Sequence, residues 1–418
     1  MSENSFHPSQ GGPRGWAVVG NGDNRRVRLF AEAARAAGVD GLRVVEWRDV
    51  LREGGCEFGP REIVRLESPG EQPEVDELLR GIAEPTRVEG SARWYDSLLA
   101  TVRTLRGGIR LDDPGELAVL FDKRLCHARL AAAGVPVPRA PTSGAAVAVR
   151  GWEEVRTRMD DAGMSRVFVK LAHGSSASGV LAIESTRGSS TAGSRRWQAA
   201  TSVELTAAGR LYNSLRVRRY TSEREIAAIV DALAPDRLHI EQWIPKASLH
   251  GRSADLRVLV VAGRATHAVV RTSGTPMTNL HLGGARGDLG EVRRIVGERW
   301  SRALSTCERA AACFPGTLCV AVDLLPSTGW RRFHVGEVNA FGDLLPGLAG
   351  LPDGPAAGLD TYTAQIDAAH RRYGAVPREC AAPATRGVSA VSGPSAVPQR
   401  LSGPTADRHV MMSAGSAS

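Results

Sequence analysis

Glu337 and Asn339 stand two residues apart near the end of an apolar segment, FHVGEVNAFGD (333–343). Side chains alternate between the two faces of a strand, so a strand here would direct this carboxylate and this amide to one face. The segment TLCVAVDLL (317–325) predicts the preceding strand, and antiparallel pairing would bring Asp323 close to both side chains. Two carboxylates and an amide oxygen suit Mg²⁺. The alternative is a hydrogen-bonded or solvated strand end.

A glycine- and serine-rich loop follows the predicted strand RVFVK, whose last residue is Lys170. The loop, LAHGSSASG, contains Gly174, Ser175, Ser176 and Gly179, and its backbone N–H groups could approach phosphate oxygens closely. Lys170 could place a positive charge on the same phosphates. The loop lacks the G-K-[ST] ending of a P-loop, so a flexible hairpin leading into the next strand, VLAIE, is the alternative.

Two features of the charged residues add candidates. The segment DLRV places Asp255 and Arg257 on one face of a predicted strand, with a surface ion pair as the alternative. Only three of the 53 basic residues are lysines, namely Lys123, Lys170 and Lys246. A compact ammonium differs from a planar guanidinium in the groups it can contact, so these three lysines are candidates for specific sites.

The elements that must position these residues indicate an α/β chain. WAVVGNGDNRRVRLFAEAARAAG (16–38) predicts a strand, a glycine turn and a helix, and LRVVEW (42–47) predicts a further strand. This order is typical of a nucleotide-binding fold. Gly20 and Gly22 form only part of a dinucleotide fingerprint because Arg25 replaces the third glycine, which favours a tight turn over NAD binding.

A helix start is predicted at DPGE, where Asp113 can cap and proline occupies the first helical position. This helix is expected to continue to Gly134, and a domain boundary is expected just before Asp113. From about residue 376 the chain is rich in Pro, Ser, Ala and Gly, which predicts a disordered tail that is dispensable from about residue 380. Two more strands and a helix are predicted, at 238–244, 256–263 and 291–313.

Composition narrows the class of protein. The net charge is +8 and the pI about 9.6, but the basic residues are scattered, which argues against a nucleic-acid partner. None of the six cysteines forms a C-x-x-C pair, so reduced thiols are favoured over a zinc site or disulfides. The first residues lack an apolar core, and no uncharged apolar run approaches the roughly 18 residues of a membrane span, so we expect a cytoplasmic protein without a membrane partner.

Together these motifs resemble the ATP-grasp superfamily, and within it the branch of ribosomal-protein glutamate ligases and glutathione synthetases. The resemblance extends from about residue 116 to 350. FDKRLCHARLAAAGVPVP is similar to the helix that carries the first nucleotide lysine, Lys123, and VFVKLAHGSSASGV to the segment with the second lysine, Lys170, and the phosphate loop. HIEQWI resembles the interlobe hinge, where Glu241, Gln242 and Ile244 would meet adenine.

The remaining motifs extend this resemblance. DLRVLVV, VVR and TNLHLGG are similar to the stretch near the phosphates, which implies roles for Arg257, Arg271 and Asn279, the two arginines in catalysis. VAVDLL and HVGEVN are similar to the metal-binding strands with Asp323, Glu337 and Asn339. The chain departs from the family pattern at Leu171 and Ala177, which replace Pro and Gly in the loop, at Lys246, which replaces the ribose-binding acid, and at AFGDLLPG, which follows the last metal strand.

The resemblance implies a Rossmann-like pre-ATP-grasp domain (15–112) after a flexible N-terminus (1–14), then a two-lobed ATP-grasp domain (113–375, hinge near 241–244) and the tail (376–418). It implies an ATP- and Mg²⁺-dependent ligase, with Mn²⁺ as an alternative metal, that joins a carboxylate to an amine or thiol through an acylphosphate. Its substrates would be small-molecule or peptide carboxylates and amines. Two alternatives stay open: a nucleotide-binding protein without turnover, acting as a sensor or accessory, and a kinase that stops at phosphoryl transfer.

Overall fold

A computed structural model describes residues 15–84, 86–144, 148–174, 177–187, 195–342 and 345–374. Within these ranges the fold is mixed α/β and contains three sheets. The predicted flexible N-terminus and the predicted tail lie outside the described residues, as do Ser175 and Ser176.

The first sheet has four parallel strands in the order β2-β1-β3-β4. The predicted strand–turn–helix unit forms here, and the side chain of Asn24 caps the first helix by accepting a hydrogen bond from the Arg26 N–H at 2.8 Å. The assignment of this part as a Rossmann-like domain stays a prediction. Its elements are β1 Gly15–Gly20, α1 Arg25–Ala36, β2 Arg43–Glu46, α2 Trp47–Glu53, β3 Cys56–Leu66, α3 Pro73–Arg80, α4 Ser91–Thr104 and β4 Leu105–Arg110.

Two short helices, α5 (Pro114–Phe121) and α6 (Lys123–Ala132), follow the first sheet. Asp113 caps α5 as predicted. The prediction of one continuous helix is wrong because Asp122 has an extended backbone, and its carboxylate accepts a hydrogen bond from the Arg124 N–H at 2.9 Å. A cap within the sequence therefore starts a new helix whose first residue is Lys123.

The second sheet is antiparallel, with five strands in the order β8-β7-β6-β5-β9. The predicted hairpin around the glycine loop is present, since β5 pairs antiparallel with β6. The strand predicted over 238–244 ends at Gln242, three residues before Pro245. The elements are α7 Trp152–Asp161, β5 Arg166–Leu171, β6 Leu181–Arg187, β7 Arg195–Leu205, β8 Leu211–Tyr220, α8 Glu223–Leu233 and β9 Leu238–Gln242.

The third sheet is antiparallel in the order β13-β12-β11-β14-β15, with β10 paired to β11. The predicted pairing of β14 with β15 is confirmed, and it sets Asp323 directly opposite Glu337. The helix predicted over 291–313 divides into two at Gly297, whose φ of 58° departs from helical backbone. The elements are β10 Ser248–Leu249, β11 Arg252–Val261, β12 Arg264–Ser273, β13 Ala285–Gly287, α9 Leu289–Val296, α10 Arg299–Ala311, β14 Cys319–Pro326, β15 Phe333–Asn339 and α11 Thr361–Tyr373.

Apolar cores hold these sheets in place. One core packs α7 and α8 against the second sheet, with Trp152 and Ile229 buried in it. Another joins the first sheet to the third through α1 and α11, where Phe30 and Ile366 are buried together. Among the described residues, the helices lack the combination of length and hydrophobicity that a bilayer crossing requires.

Candidate functional site

Charged side chains from the second and third sheets converge near the start of α6. Lys170 and Glu241 come from neighbouring strands of the second sheet, and Asp323 and Glu337 from neighbouring strands of the third. A small cavity of about 20 Å³ lies between α6, β9 and β15. It is lined by apolar residues such as Leu130 and Val335 and by three charged ones, Lys123, Glu241 and Glu337.

Lys123 joins the glycine loop to the third sheet. Its Nζ donates to the carbonyl oxygen of Gly174 at 2.7 Å and lies 2.8 Å from Oε1 of Glu337. Its own backbone N–H donates to the carbonyl oxygen of Ala172 at 2.9 Å, so the loop and the start of α6 hold each other. The break in the predicted helix at Asp122 therefore places this lysine at a helix start beside the loop.

Lys170 forms a buried ion pair with Glu241. Nε2 of His239 lies 3.5 Å from the other carboxylate oxygen, and Nδ1 of His239 lies 3.0 Å from Oγ1 of Thr142. Burial disfavours ionisation of Glu241, but the charge of Lys170 and the hydrogen bond from His239 outweigh it and lower the pKa of Glu241 to about 2. This carboxylate is therefore charged at neutral pH.

Asp255 and Arg257 do not pair with each other, so the alternative of a surface ion pair between them is wrong. In the antiparallel register Asp255 lies opposite Arg271, and Arg257 lies opposite Asp323. Nε of Arg271 donates to Asp255 at 2.8 Å, and Nη2 of Arg271 lies 3.2 Å from Asp323. Arg257 pairs with Asp323 through two nitrogens. Arg271 thus links both acids.

Lys246 also belongs to this cluster, although no motif assigned it a role. Its Nζ donates to Oγ1 of Thr278 at 2.9 Å and lies 3.4 Å from Oδ2 of Asp255. Burial lowers the pKa of Lys246 more than the neighbouring Asp255 raises it. Burial opposes ionisation of Asp255, yet Arg271 and Lys246 lower its pKa to about 2. The scarcity of lysine was the one sequence signal that pointed to Lys246.

The three predicted metal ligands lie on β14 (Asp323) and β15 (Glu337 and Asn339), and their role as ligands stays a prediction. A register shift after Asp323 adjusts the pairing so that this acid stays opposite Glu337. Burial raises the pKa of Glu337, but Lys123 and then Lys170 outweigh it and lower that pKa. Nδ2 of Asn339 donates to the carbonyl oxygen of Ala321 at 3.3 Å. In the part of the chain that the structure describes, no three His, Cys, Asp or Glu side chains group as a metal site.

The remaining residues predicted to contact nucleotide lie in the loop after β5, at the end of β9 and after β12. Gly179 has φ +66°, and a Cβ there would lie 2.6 Å from Leu171 Cδ1, so any other residue would be strained. The Gln242 N–H donates to the carbonyl oxygen of Arg139 at 2.7 Å, while Ile244 is half-buried beyond the end of β9. Asn279 caps a short 3₁₀ turn by accepting a hydrogen bond from the His281 N–H at 2.8 Å.

No protein-family model and no curated protein sequence matches the chain. Solved structures do match. The ATP-grasp ligase PsnB in complex with a minimal precursor is 17% identical over 84% of this chain and 97% of its own, with a TM-score of 0.46. The macrocyclase MdnC from Microcystis aeruginosa MRC, bound with precursor peptide MdnA, is 12% identical over 85% and 98%, with a TM-score of 0.44.

A third match is D-alanine–D-alanine ligase from Bacillus anthracis complexed with ATP, 13% identical over 84% of this chain and 94% of that chain, with a TM-score of 0.43. The chain is similar to ATP-grasp ligases. PsnB is named as an ATP-grasp ligase, the superfamily that the sequence motifs resemble. The narrower branch, that of ribosomal-protein glutamate ligases and glutathione synthetases, stays a prediction.

Proposed function

We propose that the chain is an ATP- and Mg²⁺-dependent ligase that joins a carboxylate to an amine or thiol through an acylphosphate. One observation carries the proposal: Lys123 contacts the glycine loop at Gly174 and the carboxylate of Glu337 at the same time. A site for a nucleoside triphosphate and its metal requires a cation, a loop with backbone N–H donors and a carboxylate.

The charges of the site support an exchange of partners on binding. Lys123 pairs with Glu337, Lys170 with Glu241, and Arg257 with Asp323. Phosphate oxygens would give the lysines new anionic partners, and a divalent cation would give Glu337 and Asp323 a new cationic partner. Because removing only one member of a buried pair is costly, nucleotide and metal are expected to bind together.

The donor set fits a hard divalent cation. Asp323, Glu337 and the amide oxygen of Asn339 would hold Mg²⁺, with Mn²⁺ as the alternative, and the ion would neutralise the charge that develops on the phosphates. The loop that begins near Gly174 and ends at Gly179 would receive the phosphates, and Ser175 and Ser176 would take part. Asn279 would approach from the turn after β12. Glu241, Gln242 and Ile244 would contact adenine.

The proposed reaction has two steps. A carboxylate oxygen of the substrate attacks the γ-phosphorus, the bond from that phosphorus to its bridging oxygen breaks, and ADP leaves. An amine or thiol then attacks the acyl carbon and inorganic phosphate leaves. Lys123, Lys170, Arg257 and Arg271 offset negative charge throughout, as phosphoryl transfer demands of the protein.

Hydroxylamine trapping tests this proposal. The full chain is incubated with ATP, Mg²⁺ and a panel of amino acids and peptides, with and without hydroxylamine, and ADP and hydroxamate are measured. A ligase gives substrate-dependent ADP and a hydroxamate, since hydroxylamine intercepts an acylphosphate. ATP binding without ADP would favour the sensor or accessory alternative, and ADP with a phosphorylated alcohol and no hydroxamate would favour a kinase.

A further inference from the structure

His239 lies beside the ion pair of Lys170 and Glu241 in the second sheet. Nζ of Lys170 contacts Oε1 of Glu241, and Nε2 of His239 lies 3.5 Å from Oε2 of the same carboxylate. Both side chains of β9 are buried, with Glu241 3% and His239 1% exposed. The two oxygens of this buried carboxylate therefore have different nitrogen partners, a charged ammonium and an imidazole.

The surroundings of His239 determine which ring nitrogen carries its proton. A carboxylate accepts hydrogen bonds and cannot donate them, so the N–H group of a neutral ring belongs at Nε2, facing Glu241. Nδ1 then accepts from the hydroxyl of Thr142, whose Oγ1 lies 3.0 Å away, closer than the carbonyl oxygen of Ile240 at 3.3 Å. The Ile240 N–H donates to the same Oγ1 at 2.8 Å and fixes the hydroxyl from behind. The ring is therefore held with its N–H directed at Glu241.

The charges around His239 keep the ring neutral at neutral pH. Burial lowers its pKa, Glu241 on the same strand raises it, and Lys170 on β5 and His127 on α6 lower it further, so that the pKa lies below its ordinary value of 6.5. The centroids of the His127 and His239 rings are 5.6 Å apart. The charge of Lys170 thus opposes a proton that Glu241 would favour.

In the proposed nucleotide complex, on which this inference rests, Lys170 contacts phosphate. Glu241 then loses its cation within the protein, and a buried carboxylate left without a partner is strongly destabilising. His239 already faces the second oxygen, and its N–H group can support the charge of the carboxylate after the lysine has moved. The ring can also take up a proton there, which would restore an ion pair.

We propose that His239, oriented by Thr142, is a positioning residue that holds Glu241 in place when Lys170 exchanges this carboxylate for phosphate. His239 acts through Glu241, since its two ring nitrogens face the carboxylate and the Thr142 hydroxyl. The exchange also changes the charge around the ring, because the positive Lys170 leaves while the negative Glu241 stays. The pKa of His239 should therefore rise on ATP binding, and the protein should take up protons.

The first test measures the affinity of the full chain for Mg²⁺–ATP by titration calorimetry. His239→Leu should weaken ATP binding about tenfold, the size of one hydrogen bond to a charged group. His239→Gln should recover most of this loss, because its amide N–H can still donate to the carboxylate. In the Glu241→Gln background His239→Leu should cause little further loss, since a neutral amide has no charge to support.

His267 offers a matched control in the third sheet. Its ring is buried too, with Nδ1 2.9 Å from Oγ1 of Thr266 and Nε2 3.0 Å from the carbonyl oxygen of Leu359. His267→Leu removes the same kind of side chain without touching Glu241, so ATP affinity should stay at the wild-type value. Melting temperatures of all variants show what each substitution costs the fold.

Proton uptake separates this role from a merely structural one, and it needs only wild type and the conservative variant His239→Gln. Calorimetry at about pH 6, in buffers of different ionisation enthalpy, gives the number of protons taken up for each ATP bound. Wild type should take up more protons than His239→Gln. The protons that ATP and Mg²⁺ exchange are the same in both titrations, so the difference reports on the ring. The ATP affinity of wild type relative to this variant should accordingly increase as the pH falls.

Two results would overturn the positioning role: an equal loss from His239→Leu with and without Glu241→Gln, or equal proton uptake by wild type and His239→Gln. Failure of the wild-type protein to bind ATP would instead overturn the proposed function, and the inference with it.

Discussion

Nζ of Lys123 lies 2.8 Å from Oε1 of Glu337, so a cation predicted to bind phosphate and a carboxylate predicted to bind metal neutralise each other across the site. The same pairing recurs for Lys170 with Glu241 and for Arg257 with Asp323. Phosphate would replace Glu337 as the partner of Lys123, and the metal would replace Lys123 as the partner of Glu337. If nucleotide and metal bind as proposed, this relationship would make the two ligands thermodynamically interdependent.

Glu337→Gln is expected to remove the dependence of ATP binding on Mg²⁺. The substitution keeps the shape of the side chain but removes the charge that would hold the metal, so ADP formation should fall on the order of 100-fold or more. Adenosine affinity should stay near wild type. Calorimetric titration with Mg²⁺, ATP and both, alongside the exposed control Glu57→Gln, checks this. An unchanged Mg²⁺ dependence would show that Glu337 is not a metal ligand. Asn339→Asp should be milder, since an oxygen ligand remains.

Lys170→Ala should weaken ATP binding far more than adenosine binding, because the proposed contact that it removes is to phosphate. It also leaves Glu241 buried without its cation, which costs about 3–5 kcal/mol of stability in comparable buried pairs. The double variant Lys170→Ala/Glu241→Gln should regain much of the melting temperature while ATP binding stays weak. If the double variant recovers ATP affinity as well, Lys170 supports the fold rather than the phosphate.

Acid should destabilise the protein partly through Glu241. Its pKa is about 2 in the folded protein against an ordinary value of 4.5, so its ion pair stabilises the fold above about pH 4.5. That contribution falls as the pH drops from 4.5 through 2. Thermal melts over this range should show a steeper loss for wild type than for Glu241→Gln, with Glu57→Gln following wild type. Parallel curves for all three proteins would contradict the assignment.

Lys246→Ala is expected to weaken ATP binding less than Lys170→Ala does. Nζ of Lys246 contacts Asp255 in the third sheet and Thr278 in the segment after β12, whereas Lys170 lies on the strand that leads into the glycine loop. Side-by-side ATP titrations of the two variants measure the difference, and adenosine titrations show whether either variant has lost its fold. A larger loss of ATP affinity in Lys246→Ala would place the phosphates at the third sheet instead.

Local patterns in the sequence predicted the elements that depend on neighbouring residues. The alternation in FHVGEVN gave β15, and the Asp113 cap gave the start of α5. Pairing of two strands joined by a short turn could be predicted too, which is why Asp323 and Glu337 were expected to meet.

Features set by distant contacts could not be predicted in this way. Helical periodicity continues through Asp122 and Gly297, and only backbone conformation shows that the helices end there. No motif signalled the hairpin of β7 and β8 in the second sheet, or the register shift between Thr201 and Val203. The partners of Asp255 and Arg257 likewise follow from the register of β11 with β12 and β14, which the sequence of one strand does not contain.

The three lysines have a practical consequence for labelling. Lys123, Lys170 and Lys246 are the chain's whole supply of side-chain amines, and each is mostly buried, with 12%, 13% and 8% of its side chain exposed. Amine-reactive reagents should therefore modify the folded protein slowly except at its α-amino group. Any lysine adduct found by mass spectrometry would lie in this cluster of charges. The labelling yield at each lysine would therefore show whether a ligand is bound there.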